Sequence, residues 1–220
     1  MGYGINILVE GEFALYSRAE FKVERYSYDV ITPSAARGIL EAVYWKPQIS
    51  YRILKIHVYN EPTFTTIRRN EVECKVSASD AKKLMNRSES AKGYIDTTKA
   101  IQQRASTILR DVKYIIEADF IMTGVNSTED DTKEKHYNML LRRLRKGQCY
   151  HQAYLGTREF PARISLVEGE IPSSRLLGTR DLGFMLYDMN YTDKSNIVPE
   201  LFRAVMKDGV IDLTNVDKVR

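Results

Sequence analysis

In the segment "ITPSAARGILEAVYWKP" (31–47), the apolar residues Ala36, Ile39, Leu40 and Val43 recur at i, i+3, i+4 and i+7, the spacing of one face of a helix. Thr32 can cap that helix, Pro33 suits its first position and Pro47 stops it. A second helix is predicted within "DTKEKHYNMLLRRLRKGQ" (131–148). Its apolar stripe is Tyr137, Leu140, Leu141 and Leu144, and Asp131 followed three places later by Glu134 resembles a capping box. Strands are expected at "YGINILV" (3–9), at the alternating "YRILKIHVYNEP" (51–62) and at "RDVKYIIEADFIMTG" (110–124), which places Val112, Tyr114, Ile116, Ala118 and Phe120 on one face. "TFTTIRRNEVECKV" (63–76) reads as a further extended pair or hairpin, and "CYHQAYLG" (149–156) as a short closing strand. The stretch from Ser77 to Gln103, centred on "NRSESAKG", is polar and is expected to be a long mobile insertion with little core.

The resulting order is strand, helix, strand, insertion, strand, helix, strand. It predicts an α+β fold with a split βαβ, ferredoxin-like or RRM-like domain over residues 1–155. The remaining residues, 156–220, supply extended segments and glycine turns for a small antiparallel β subdomain. There is no repeat of fixed period and no low-complexity tract.

Composition narrows the picture further. A 220-residue chain that is 43% hydrophobic is globular, and its net charge of +4 says little about partners until the charges are located. Cys74 and Cys149 are far apart and show no metal-ligand spacing, which fits a reducing cytoplasm and a protein with no metal and no cofactor. Glu10 and Glu12 interrupt the first apolar run before a signal-peptide core forms, and no stretch reaches the length of a membrane span.

The local charges are more telling. Arg142, Arg143, Arg145 and Lys146 crowd the second helix, Arg68 and Arg69 stand in tandem, and Arg104 and Arg110 flank the exit of the insertion. Tyr26, Tyr28, Tyr44 and Trp45 are interleaved with Lys22, Arg25 and Lys46. A basic helix can be no more than a solvated face, but cations beside stacking rings suit single-stranded or loop RNA, and a basic groove alone also fits DNA. Of the three histidines, His57 reads as a strand residue at a sheet surface and His151 as structural. Lys135 and His136 fall in the first turns of a helix, where the positive end of the macrodipole favours an anion such as a phosphate. RNA cleavage without a metal needs a base or aligning group for the 2′-hydroxyl, a cation for the phosphorane and an acid for the 5′-oxygen; a histidine, a lysine and a tyrosine supply these. A metal-dependent DNA nuclease would instead need a carboxylate cluster, for which "STEDDTKE" offers Glu129, Asp130, Asp131 and Glu134; that run also reads as a cap and a solvated loop.

"FKVERYSYDVITPSAARGILEAVYWKP", "TTIRRNEV", "QRASTILRDVKYIIEADF", "KHYNMLLRRLRKGQC", "YLGTREFPA" and "LFRAVMKDGVI" together resemble the type I-C (Dvulg subtype) branch of the CRISPR-associated Cas family five, almost end to end. The resemblance implies an RRM-like endoribonuclease that cuts the precursor CRISPR transcript within its repeats. It also implies that the protein stays on the repeat-derived handle, beside other subunits of the type I-C effector complex. The family's catalytic tyrosine falls on Tyr44, and its lysine and histidine on Lys135 and His136. Arg25, Lys46, Arg68, Arg69, Arg104, Arg142, Arg143 and Arg145 are the candidate RNA contacts. The glycine-rich loop common among such proteins is present only as "LLGTRDLGF". A non-catalytic subunit that holds the processed RNA is the alternative.

Overall fold

The strands and helices of the computed structural model follow the chain as β1 (Ile5–Ala14), β2 (Arg25–Tyr26), α1 (Pro33–Val43), β3 (Ile49–Val58), β4 (Thr63–Val72), α2 (Ala78–Met85), β5 (Ile101–Met122), α3 (Lys133–Arg145), β6 (Arg163–Leu166), β7 (Thr179–Asn190), β8 (Val198–Lys207), β9 (Val210–Asp212) and β10 (Lys218–Val219). Residues 3–21, 23–86, 93–193 and 195–219 are described. Lys22 and the centre of the polar stretch, residues 87–92, lie outside the described residues.

One large sheet runs in the order β10-β8-β9-β3-β5-β1-β6, with β2 and β4 also on β5 and β7 on β8. Its ladders are antiparallel except for the short β2–β5 pair. Alternation sets which face is buried. Ile7 pairs with Ile116 and Ile5 with Ala118 on one side of β5, while Ile56 pairs with Ile116 and Ile53 with Ala118 on the other. Side chains directly opposite share a face, so these residues form one apolar layer with Tyr114 and Phe120.

α1 and α3 pack against this sheet and touch each other. In α1, Thr32 accepts a hydrogen bond from Ala35 N, Pro33 opens the helix, and Ala36, Ile39, Leu40 and Val43 are buried, as their spacing predicts. Arg37 holds Asp188 of β7 through two hydrogen bonds of 3.0 and 2.8 Å, tying this helix to the carboxy-terminal hairpin.

Several expectations need correction. The N-cap of α3 is Thr132, which accepts from Lys135 N; the Asp131 carboxylate is drawn away by Thr128 N and Oγ1. The buried line of α3 is His136, Leu140 and Leu144, whereas Leu141 is only half-buried. The strand expected at 110–124 begins at Ile101, because β4 pairs with its first half from Val72↔Ile101 to Thr63↔Arg110. Residues 149–156 do not form a ladder strand. The backbone N–H groups of Tyr150 and His151 both go to Ala42 O at the end of α1, and Gly156 turns at φ 86°. The strand that closes the sheet beside β1 is instead β6. The glycine-rich "LLGTRDLGF" runs into β7, with Gly183 at a register shift between Asp181 and Phe184. α2 buries no residue, in keeping with an insertion that adds little core.

Because Leu140 is fully buried between α3 and the sheet, Leu140→Ala should cost about 2–5 kcal/mol of stability in a denaturant melt. The half-buried Leu141 should tolerate the same change with a visibly smaller loss.

Candidate active site

Tyr44 is the residue at which α1 ends. Its backbone is extended (φ −152°, ψ 118°), its N–H still bonds Leu40 O, and its carbonyl accepts the Tyr51 hydroxyl at 2.6 Å. The carbonyls left over at the helix end are covered as well. Arg143 donates to Val43 O at 2.8 Å and lies 5.3 Å from the centre of the Tyr44 ring, while Tyr150 N bonds Ala42 O. With its backbone held this way, Tyr44 turns its hydroxyl toward α3, where it meets His136 Nδ1 at 2.8 Å.

His136 lies in the first turn of α3 and is 2% exposed. The other ring nitrogen, Nε2, is buried without a hydrogen bond, and Asp131 Oδ1 lies 3.8 Å from it. The same oxygen sits 3.1 Å from Lys135 Nζ. Around this group opens a cleft of about 380 Å³, lined by Tyr44, Lys46, Gln48, Asp131, Lys135, His136, Met139, Arg142 and Arg143. The loop before α3 is fixed to the turn after α1: Gln48 Nε2 donates to Asn126 O, and Thr123 Oγ1 to Pro47 O. Two segments some ninety positions apart are therefore joined in one site.

Burial is the main reason that His136 has a pKa below the ordinary histidine value. Lys135 and Lys46 push in the same direction and Asp131 opposes them, so the ring is neutral at pH 7. Burial likewise raises Tyr44, against the pull of Arg143 and Lys135, so its hydroxyl keeps its proton. Asp131 is lowered to about 2, first by the Thr128 backbone N–H, then by Lys135 and the Thr128 hydroxyl. The cleft thus holds a neutral imidazole hydrogen-bonded to a neutral phenol under a cationic rim. That arrangement can take or pass a proton and can meet an anion.

Lys46, Lys135, Arg142 and Arg143 line this cleft together with Tyr44 and His136. Arg145 does not: it pairs with Glu168 at 2.8 Å. Arg25, Arg68, Arg69 and Arg104 belong to a separate region on β2, β4 and β5, and register divides them. Arg69 faces Arg104 across the β4–β5 ladder, and Arg25 faces Ser106 on β5. All three are held by carboxylates, Arg25 and Arg104 by Glu71 and Arg69 by Glu159. Arg68 stands on the opposite face, exposed and without a carboxylate partner among the described residues. That face also carries Tyr26 and Phe64, whose rings are 5.5 Å apart, with Phe21 5.6 Å from Tyr26.

His57 bonds Glu117 at the sheet surface, and His151 is exposed and serves α1 through its backbone N–H. Sequence reasoning missed Gln48 and Met139 as walls of the cleft, and it treated Asp131 as a cap or a metal ligand. Nothing local in the sequence marks those roles, since they arise from where the loop before α3 docks. Among the described residues no three or more His, Cys, Asp or Glu side chains gather as a metal site, and Cys74 and Cys149 are unpaired and exposed. No described helix is long and apolar enough to cross a membrane.

A mixed α/β chain built on one large antiparallel sheet with few helices is the architecture of a solved CRISPR-associated protein. The two superpose with a TM-score of 0.70 at 23% identity, over 97% of this chain and 93% of the other. The fold is shared more loosely, at a TM-score of 0.52 and 12% identity, with a chain of a CRISPR RNA-guided surveillance complex, over 98% of this chain and 90% of that one. Sequence makes the relation specific: the chain belongs to the CRISPR-associated protein (Cas_Cas5) family, which it matches over residues 4–214. It is 44% identical over 218 residues, 97% of this chain and 96% of the relative, to the CRISPR pre-crRNA endoribonuclease Cas5d of Mannheimia succiniciproducens.

Proposed function

We propose that this protein is a metal-independent, sequence-specific endoribonuclease that cuts precursor CRISPR RNA within its repeats. We propose further that it stays bound to the crRNA handle in a type I-C effector complex. The observation that carries this is the 2.8 Å hydrogen bond between Tyr44 and the buried, neutral His136 at the floor of a cleft rimmed by Lys46, Lys135 and Arg142. The endoribonuclease name of a relative 44% identical along nearly its whole length supports the substrate. The shared fold of a surveillance-complex chain supports the partner subunits.

In this mechanism the scissile phosphate sits against Lys135, and the adjacent 2′-hydroxyl gives its proton to the Tyr44–His136 pair. The bond from the 2′-oxygen to phosphorus forms, and Lys135 balances the charge that builds on the phosphorane. The bond to the 5′-oxygen then breaks as that oxygen takes a proton from the Lys135 ammonium. The products carry a 2′,3′-cyclic phosphate and a 5′-hydroxyl.

The test is to incubate the protein with its repeat RNA in chelator and map the ends. One cut per repeat with those termini is expected; uncut RNA, or a 5′-phosphate on the downstream fragment, would refute the reading.

The same proposal includes a ferredoxin-like, RRM-like core. It is supported by the run β3-β5-β1-β6 within the sheet, which reproduces the 2-3-1-4 strand order of a split βαβ unit with α1 and α3 as its crossovers. On this reading β7 to β10 make up the carboxy-terminal β subdomain, and the pairing of β6 with β1 supports counting the chain to Leu166 with the core. A cytoplasmic location goes with this substrate and with the unpaired cysteines.

For RNA binding away from the cleft, the proposal rests on Arg68 and the neighbouring rings. Arg68→Ala should weaken repeat binding and reduce the slope of log affinity against log salt by about 0.7, the contribution of one phosphate contact to a single strand. Arg69→Ala should leave that slope unchanged, since Arg69 already serves Glu159 and Ser106. Filter binding across a salt series distinguishes them.

A further inference from the structure

The imidazole of His136 lies between two groups: the Tyr44 hydroxyl 2.8 Å from Nδ1 and the Asp131 carboxylate 3.8 Å from Nε2. Asp131 is itself fixed. Its Oδ2 accepts from Thr128 N at 3.1 Å and from Thr128 Oγ1 at 3.0 Å, leaving Oδ1 for Lys135 Nζ at 3.1 Å and for the buried, otherwise unpartnered Nε2. We propose that Asp131 is a positioning residue for RNA cleavage: its carboxylate fixes the His136 tautomer with the proton on Nε2, so that Nδ1 draws the proton of Tyr44, and it holds Lys135 at the scissile phosphate. This inference rests on the endoribonuclease reading given above.

The chemistry follows from the tautomer. A carboxylate near Nε2 favours a proton there, which leaves the Nδ1 lone pair free to accept from the Tyr44 hydroxyl. The phenolic oxygen then accepts the proton of the 2′-hydroxyl as its own proton passes to Nδ1. The imidazolium so formed is stabilised by Asp131, which remains ionised throughout because its pKa is about 2. Without the carboxylate, the Nδ1–H tautomer becomes competitive. In that form the ring donates to Tyr44 and can no longer take its proton.

The charged and titratable groups around the ring are Tyr44 and Lys46 at the end of α1, with Tyr51 behind Tyr44, Asp131 from the loop, and Lys135, Arg142 and Arg143 from α3. Asp131 is the one acidic group among these described residues, so its removal lowers the proton affinity of His136.

The test is single-turnover cleavage of repeat RNA across pH by the full chain carrying Asp131→Asn, Thr128→Val or His136→Ala. Asparagine keeps an oxygen for Thr128 but replaces the oxygen that faces Lys135 and His136 Nε2 by an uncharged NH2 donor. Asp131→Asn should cut roughly 10–100-fold more slowly, the size of loss seen when the partner that orients a metal-bound imidazole is removed. It should bind repeat RNA at least as tightly as the wild type, and the acidic limb of its rate profile should move to lower pH. Thr128→Val loosens the loop but keeps the carboxylate, so it should lower the melting temperature and leave the limb in place. A wild-type rate in Asp131→Asn, or a slower rate with an unmoved limb, would overturn the positioning role while leaving the enzyme reading intact. A wild-type rate in His136→Ala would overturn both.

Discussion

His136→Ala should lower the single-turnover rate of repeat cleavage by about 10²–10⁴, the contribution of a positioned acid or base, while repeat affinity stays close to wild type. The separation of rate from binding follows from geometry. His136 is buried on the core line of α3 with Leu140 and Leu144, and it reaches the cleft through the edge of its ring and through Tyr44. Removing it takes nothing from the cationic rim that would hold phosphates. Tyr44→Phe removes one oxygen and leaves the ring packed under Arg143, so it should fold normally and share the rate defect. A histidine variant that cuts as fast as wild type would mean that the Tyr44–His136 bond is only structural.

The second large effect lies in the substrate. Replacing the nucleotide at the cut by its 2′-deoxy form should abolish cleavage and leave binding unchanged, because the proposed mechanism takes its nucleophile, the 2′-hydroxyl, from the RNA. Gel-shift and cleavage assays on the same oligonucleotide separate the two readouts. Cutting of the deoxy substrate would point to attack by water and would remove Tyr44 and His136 from their assigned roles.

The elements with strong periodicity were legible in the chain. α1 follows from Thr32, Pro33 and an apolar face of one period, and the buried face of β5 follows from five alternating residues. The first half of β5 was not legible, because Gln102, Gln103, Arg104 and Thr107 answer to a partner strand rather than to a core. "CYHQAYLG" has a strand's composition, but its N–H groups close the end of α1, a use that no local pattern encodes. At α3, Asp131 matched the capping consensus better than Thr132 did, and only the competing bonds from Thr128 explain why threonine has the task. The site itself divides along the same line. The Lys135–His136 pair stands out at a helix start, whereas its partnership with Tyr44 depends on tertiary structure and was available only through family resemblance. The arginines show the limit most clearly: Arg68 and Arg69 are neighbours in sequence, yet strand alternation sends one to solvent and the other to Glu159.

β5 is a single strand of 22 residues whose support is uneven along its length. From Tyr114 to Ala118 it is paired on both sides, by β1 and β3, whereas from Ile101 to Ala105 β4 is its one partner strand among the described residues. Asp111, at φ 52°, marks the joint between the two stretches. Backbone amides bonded on both sides of a buried strand open only with the whole fold, while those bonded on one side under little core open locally. The free energy of opening therefore falls along one continuous strand, from the layer beneath Tyr44 and His136 to the distal end at Ile101. The arm can therefore open by itself while the strand beneath Tyr44 and His136 stays closed.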